Sequence, residues 1–202
     1  MIYSSWFKAL HTLVTHLIEA LQAMSDEELV ELAKQQDQDG TKAFEVLVER
    51  HNIWLTRLVR NLVSHPQDAE ELVQNALVRA FFALPKFRGD SSFKTWLRTI
   101  ASREAFNHYR KNGRVKEYAT EEMPEPDQDE PTPAEQFDER QHIELALAHV
   151  PYPYKEILIL RYVEELSIDE ISSTLELGKS ATKMRLMRAR EFFKTAYKDS
   201  EL

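Results

Sequence analysis

Apolar residues recur at helical spacing over two stretches of the chain. From residue 25 to 112 they fall on single faces of successive predicted helices, beginning with Leu29, Leu32 and Ala33. The same spacing returns from 134 to 198. This pattern predicts an all-α fold of two small helical domains, and the scarcity of glycine, four in 202 residues, agrees with it because tight hairpin turns need glycine.

Capping residues mark where some of these helices begin and end. Ser25 and Glu28 have the spacing of a capping box, and so do Ser167 and Glu170. Gly40 is expected to end the first helix of this domain.

The segment between the two periodic stretches has the composition of a linker. Residues 117–139 carry ten acidic and no basic side chains, and four prolines lie between 124 and 133. Such a segment buries little and cannot continue a helix. Residues 1–116 carry 16 basic and 14 acidic groups and residues 140–202 carry ten of each, so the net charge of −8 originates in the linker segment. We predict one domain at 25–113, the acidic linker at 114–135 and a second domain at 136–198.

The end of the chain shows the pattern of a helix-turn-helix. A capped short helix from Ser167 is followed by a turn near Gly178 and by the basic helix KSATKMRLMRAREFFK, residues 179–194. Leu186, Ala189 and Phe193 share its apolar face. A helix of this kind fits the major groove of DNA, whereas the alternative is a solvated basic surface. Glu176 stands where glycine is common in such motifs, so we expect Gly178 to shape the turn.

Aromatic and basic residues alternate in FRGDSSFKTWLRTIASREAFNHYRKNGR, residues 87–114. This pattern suits single-stranded nucleic acid, since bases stack on aromatic rings while cations hold the backbone. The alternative is that the rings are core; we assign Phe93 and Phe106 to the core, and Trp96 with the loop 88–92 to binding.

An acidic helix start is found in HPQDAEELVQNALVRAF, residues 65–81. Acidic groups in a first turn stabilise a helix by themselves. They could also form a docking surface for a basic partner, or, with His65, Asp68 and Glu71, a metal site; for the metal site no second ligand cluster exists in the sequence.

The first 24 residues form a predicted amphipathic extension, with Trp6, Leu10, Leu13 and Leu17 on one face. It is too short and polar to span a bilayer, so no stable membrane insertion is expected. The extension could form an interfacial or partner-binding helix, and the alternative is that translation begins at Met24. The absence of cysteine excludes disulfides and thiolate chemistry, and agrees with a cytoplasmic protein.

In this order, the motifs of 68–81, 87–101 and 156–190 resemble those of RNA polymerase sigma factors of the extracytoplasmic-function type. The resemblance implies a non-catalytic subunit, without metal or cofactor, that binds core polymerase at the β′ clamp helices and the β flap. It implies promoter DNA as a partner, duplex and single-stranded, and makes an anti-sigma factor a further candidate partner. MSDEELVELAKQ, from Met24, is similar to an ordinary beginning for this family.

The resemblance assigns a role to each motif residue. Polymerase binding falls to Asp68, Glu70, Glu71 and Gln74. Binding of the unpaired minus-ten strand falls to Arg79, Phe87, Arg88, Gly89, Asp90, Ser91, Trp96 and Arg103. Reading of the minus-thirty-five duplex falls to Ser180, Lys183, Met184, Arg185, Met187, Arg188 and Arg190. Asn75 and Arg103 depart from residues common in the family.

Two other functions fit parts of the same sequence. A transcription regulator would share the helix-turn-helix but would not use the Trp96 segment, and it would bind duplex DNA tightly by itself. A helical metal-dependent hydrolase would use His65, Asp68 and Glu71 and would take up metal.

Overall fold

The computed structural model describes residues 18–63, 65–111 and 136–200, and every regular element in these ranges is helical. After a helical stretch at 18–23, the helices are α1 Asp26–Ala33, α2 Gln38–Leu62, α3 Pro66–Ala83, α4 Phe93–Lys111, α5 Gln136–His149, α6 Tyr152–Leu158, α7 Ile168–Leu175 and α8 Lys179–Ser200. A 3₁₀ turn, Leu84–Lys86, precedes α4, and a π-helical turn, Ile159–Val163, extends α6. The predicted linker at 114–135 and residues 1–17 of the predicted extension lie outside the described residues.

The start of α1 confirms the first predicted capping box. The Ser25 hydroxyl accepts the backbone amide of Glu28, and the Glu28 carboxylate accepts the amide of Ser25 at 2.8 Å. The prediction that Gly40 ends this helix is wrong, because Gly40 lies in the first turn of α2. There a β-carbon would stand 2.9 Å from the carbonyl oxygen of Leu32, so glycine allows the two helices to approach closely.

Helices α1 to α4 surround the core of the N-terminal domain. Leu29, Leu47, Leu58 and Leu97 are fully buried in it, and Leu21 joins them from the preceding helical stretch. Burying a leucine contributes roughly 1.5–3 kcal/mol to the stability of the fold. The apolar faces that the sequence pattern predicts are therefore the faces that pack.

Helices α6 to α8 enclose a smaller C-terminal core, against which Leu147 of α5 packs. Its buried members include Ile157, Leu160 and Ile171. Leu186 and Ala189 of α8 are buried against them and Phe193 packs beside them, which confirms the predicted apolar face of this helix.

The two domains pack directly against each other. Tyr152 and Ile159, at the two ends of the α6 segment, are part of the N-terminal core. The ring of Tyr109 on α4 stacks on Tyr152 at 4.9 Å between centroids, and Phe106 lies 6.1 Å from the same ring. The surfaces that the two domains turn toward each other are therefore partly apolar.

Candidate nucleic-acid interface

Helices α7 and α8 form the predicted helix-turn-helix. The second capping box is confirmed: the Ser167 hydroxyl accepts the amide of Glu170, whose carboxylate in turn accepts the amide of Ser167 at 2.8 Å. Helix α7 ends at Glu176, which adopts the left-handed conformation at φ 53°. The expectation that Gly178 shapes the turn is wrong, because Glu176 itself takes the positive φ. A non-glycine residue there costs of order 1 kcal/mol.

The angle between α7 and α8 is held by a buried polar contact. The hydroxyls of Ser172 and Thr182 are 2.9 Å apart, and Thr182 is fully buried. The Thr182 hydroxyl also donates to the carbonyl of Gly178 at 3.1 Å. A satisfied buried contact of this kind fixes orientation, so α8 is presented to its partner as a rigid element.

The outer face of α8 carries most of the residues predicted to read duplex DNA. Met184 and Met187, three residues apart on one side of the helix, are 49% and 44% exposed and are therefore accessible to a partner. Arg190 is restrained, because its Nε donates to the Tyr162 hydroxyl at 2.7 Å. Ser180, Lys183, Arg188 and Arg190 are exposed, and Arg185 is half-buried.

The predicted single-strand segment lies between α3 and α4. Phe87 is buried and stacks on Trp96 at 4.8 Å, so these rings brace each other, and part of the Trp96 ring stays exposed. Between them the loop residues Arg88, Gly89, Asp90 and Ser91 are exposed, and Gly89 has φ 79°. Ser92 then accepts the amide of Thr95 and starts α4. Phe93 is buried as predicted, whereas Phe106 is 37% exposed and reaches the other domain.

Two arginines of the same predicted site are held by carboxylates. Arg79 on α3 contacts Glu104 on α4 through its Nε at 2.9 Å, and the Glu104 side chain is largely buried. Arg103 pairs with Glu176, the left-handed residue of the helix-turn-helix. In this conformation a residue predicted to bind the unpaired strand therefore contacts the domain predicted to read duplex DNA.

The acidic residues of α3 differ in their surroundings. Glu71 and Gln74 are exposed to solvent. Asp68 turns toward α4, where its carboxylate is 3.1 Å from Nε2 of His108. Glu70 lies 3.8 Å from Arg60 of α2. A partner could therefore bind Glu71 and Gln74 without first breaking one of the ion pairs described for this surface.

A contact among three residues that the sequence does not predict connects the domains. Glu164, after the π turn, accepts hydrogen bonds from Nε1 of Trp54 at 2.9 Å and from Arg98 at 3.1 Å. The Arg98 and Glu164 side chains are only 6% and 8% exposed. No pattern within either domain signals this contact, because its partners lie 66 and 110 residues apart in the chain.

A cavity of about 280 Å³ lies between α4 of the N-terminal domain and the C-terminal domain. Arg103, Arg185 and the buried Glu156 line it, together with Ser102 and Thr174. Burial raises the pKa of Glu156 to about 8, although the Tyr152 hydroxyl and the charge of Arg185 partly oppose that increase.

Within the described ranges, no group of three or more His, Asp or Glu residues is placed to hold a metal ion. No helix in the same ranges is long and apolar enough to cross a membrane.

Comparisons with known proteins agree with this arrangement. Residues 47–115 match the family model for sigma-70 region 2, and residues 140–193 match that for sigma-70 region 4. The chain is 30% identical to the RNA polymerase sigma-H factor of Pseudomonas aeruginosa, over 82% of this chain and 90% of the relative. It is also 30% identical to the ECF RNA polymerase sigma-E factor of Escherichia coli K12, over 84% and 93%.

Two solved structures share the fold. CnrH, solved in complex with the cytosolic domain of CnrY, has a TM-score of 0.58 at 23% identity and covers 84% of this chain and 95% of its own. RpoE of Bartonella quintana, in complex with the anti-sigma factor NepR, has a TM-score of 0.58 at 24% identity and covers 78% and 98%. The helix-turn-helix of α7 and α8, the two family-model matches and the two relatives at 30% identity lead to one conclusion: the chain belongs to the extracytoplasmic-function group of sigma-70 family sigma factors, non-catalytic subunits that bind core RNA polymerase and promoter DNA and direct transcription initiation.

Proposed function

We propose that the three surfaces described above divide the work of promoter recognition, one binding polymerase and two binding DNA. The observation that supports this division is that the acidic face of α3, the loop 88–91 and the outer face of α8 each present exposed side chains of the required chemistry at a separate place in the fold.

The polymerase surface is the acidic face of α3. Glu71 and Gln74 supply a carboxylate and an amide that are free to meet basic side chains of the β′ clamp helices. Asp68 and Glu70 act from the edges of the face, after exchanging their contacts with His108 and Arg60. The C-terminal domain engages the β flap.

The minus-ten surface consists of the loop 88–91 and the residues that flank it. Trp96 offers a ring face for stacking, while Arg88 and Arg79 supply charge for the strand backbone. Gly89 allows the backbone to turn at positive φ toward a flipped base. Capture of unpaired bases offsets an unstacking cost of a few kcal/mol per step, so melting is driven by binding.

The minus-thirty-five surface is the outer face of α8. Lys183 and Arg188 can reach base edges and phosphates of the major groove, and Ser180, Arg185 and Arg190 are placed for phosphates. Met184 and Met187 are exposed on this helix, so we propose that contact with thymine methyl groups or DNA shape replaces some hydrogen bonds there.

The acidic linker sets the reach between the two DNA surfaces. A segment of 22 residues, such as 114–135, spans at most roughly 75 Å when extended. We propose that it threads toward the polymerase active-site channel, where its acidic side chains occupy space otherwise used by nucleic acid. Replacing those acids by Ser and Gln should change the yield of abortive transcripts, and an unchanged yield contradicts the idea.

The cellular setting follows from these partners. Because core polymerase and promoter DNA are found in the cytoplasm, we propose that the protein works there. An anti-sigma factor is proposed as a regulator, since the RpoE relative of the same fold was solved with one.

Runoff transcription with purified core polymerase over a genomic library tests the function and identifies the promoter. We expect specific start sites with the full chain and none with core polymerase alone. A folded chain that neither co-elutes with core polymerase nor gives start sites contradicts the proposal.

A further inference from the structure

Of the ion pairs described between the two domains, the pair of Glu164 with Arg98 is more buried than that of Glu176 with Arg103. The Oε2 of Glu164 accepts from the Trp54 indole at 2.9 Å and from Arg98 Nη2 at 3.1 Å, and the Arg98 guanidinium also lies over the Trp54 ring at 5.3 Å. Trp54 and Arg98 belong to the N-terminal domain, on α2 and α4. Removing one partner from a buried ion pair is strongly unfavourable, because it leaves an uncompensated charge in the interior.

The backbone before and after Glu164 is unusual in two ways. The amide of Glu164 bonds the carbonyl of Ile159 at 3.0 Å, in the wide π turn that ends α6. Glu165 then takes a positive φ of 56°. Together these features end the helix so that Glu164 turns into the neighbouring domain while Tyr162 and Val163 remain exposed. Strained backbone of this kind persists where the surroundings favour it and commonly marks functional positions.

The packed arrangement is incompatible with simultaneous use of both DNA surfaces. Arg103 of the proposed minus-ten surface and Arg185 of the proposed minus-thirty-five surface line the same interdomain cavity. The two promoter elements are separated by about 25 base pairs, or roughly 85 Å of B-form DNA. Residues that share one cavity cannot reach both elements, so the domains have to separate before the promoter is read.

We propose that Glu164 is an interdomain latch, which holds the free chain closed through Trp54 and Arg98 until core polymerase separates the domains. This regulatory role rests on the proposed function of the two DNA surfaces, but the closed state is a property of the free chain. It can therefore be tested without polymerase.

The test measures the distance between the domains in the full-length free chain. The protein has no cysteine, so Glu45→Cys on α2 and Thr195→Cys on α8, both exposed positions, give a clean pair for spin labels or fluorophores. The parent pair should give one narrow distance distribution. Glu164→Gln keeps the size and an acceptor for Trp54 but removes the charge that faces Arg98, and it should raise the separated population about tenfold or more.

Two further variants make the result specific. Glu165→Gln removes the same charge one residue away, at an exposed position, and should leave the distribution unchanged. Trp54→Phe keeps an aromatic ring but loses the N–H donor, and it should widen the distance distribution less than Glu164→Gln does. If Glu164→Gln does not fold, the result for Trp54→Phe decides whether the latch exists.

The outcomes separate the latch from the proposed function. A broad distance distribution in the parent chain overturns the latch. So does a narrow distance distribution that persists in both Glu164→Gln and Trp54→Phe. An equal widening of the distance distribution by Glu165→Gln overturns it as well. Adding core polymerase to the parent pair should lengthen the distance. If closure depends on Glu164 but the chain does not bind polymerase, the proposed function and the release by polymerase are contradicted, while the closure of the free chain by Glu164 is supported.

Discussion

The hydroxyl of Tyr152 donates a hydrogen bond to the carboxyl group of Glu156, 3.3 Å away, and both side chains are buried where the two domains meet. Burial raises the pKa of Glu156 to about 8 and raises that of Tyr152 well above its usual value. Both groups are therefore neutral near pH 7, and the interface avoids a buried negative charge at this point.

This pair makes the stability of the protein depend on pH. A carboxyl whose folded pKa lies above its unfolded value contributes most below the unfolded value, 4.5, and the contribution is lost as pH rises to about 8. Glu156→Gln keeps an acceptor for Tyr152 and cannot ionise. We expect it to raise the free energy of unfolding at pH 8.5 by about 1–3 kcal/mol, and by less at pH 5.5.

Thermal unfolding at several pH values measures this effect. Glu144→Gln, an exposed position on α5, is the matched control and should leave the pH dependence unchanged. An identical pH profile for Glu156→Gln and the parent would show that folding does not raise the pKa of Glu156.

The capping box of α7 should be needed for stability of the helix-turn-helix. Ser167→Ala removes the hydroxyl that accepts the amide of Glu170, at a cost of about 1 kcal/mol. The melting temperature should fall by about 2–4 °C. Ser173→Ala, which removes only an exposed hydroxyl bonded to the Asp169 carbonyl, should change it by less, and calorimetry would contradict the prediction if the two variants melted alike.

Charge on the exposed face of α3 should control polymerase binding. Glu71→Arg reverses a charge that is free of intramolecular restraint in the described contacts, and should weaken binding to core polymerase by about tenfold or more. Glu45→Arg makes the same reversal on the exposed side of α2 and should bind as the parent does. Equal affinities of all three proteins for core polymerase in a titration would exclude α3 as the docking face.

The two arginines near the middle of α8 should differ in importance. Arg188 is exposed, whereas the Nε of Arg190 donates a hydrogen bond to the Tyr162 hydroxyl at 2.7 Å. Arg190 therefore has to break that hydrogen bond to reach DNA. Arg188→Ala should therefore lower affinity for promoter duplex more than Arg190→Ala, and each lost phosphate contact lowers the slope of log K against log salt by about 1. Binding of polymerase holoenzyme to minus-thirty-five duplex at several salt concentrations measures both quantities; a greater loss with Arg190→Ala is the contrary result.

Local patterns in the sequence predicted the helices and their capping boxes, because periodicity and capping depend on neighbours within one or two turns. Leu186 and Ala189 follow from spacing alone. The conformation of Glu176 could not be predicted, since the general preference for glycine at positive φ is outweighed here by the contacts of one particular turn. Gly40 shows the same limit, because its role depends on the approach of Leu32.

The interdomain contacts were beyond prediction for a different reason. Trp54, Arg98 and Glu164 each fit a plausible local role, as core, basic surface and solvated acid. The contact among these three residues depends on how the two folded domains dock. The periodicity of apolar residues within either domain gives no information about that docking. The residue-level roles assigned to α3, the loop 88–91 and α8 remain predictions for the experiments above.

The closed arrangement around Glu164 also couples the partners of the protein to one another. A ligand that binds only the separated domains has its apparent affinity reduced by the fraction of molecules that are open, so a chain that is 1% open binds about a hundredfold more weakly. Once polymerase has opened the chain, the apparent affinity for promoter DNA is no longer reduced by this fraction. By thermodynamic reciprocity, binding of promoter DNA must increase the affinity of polymerase for this subunit by the same factor.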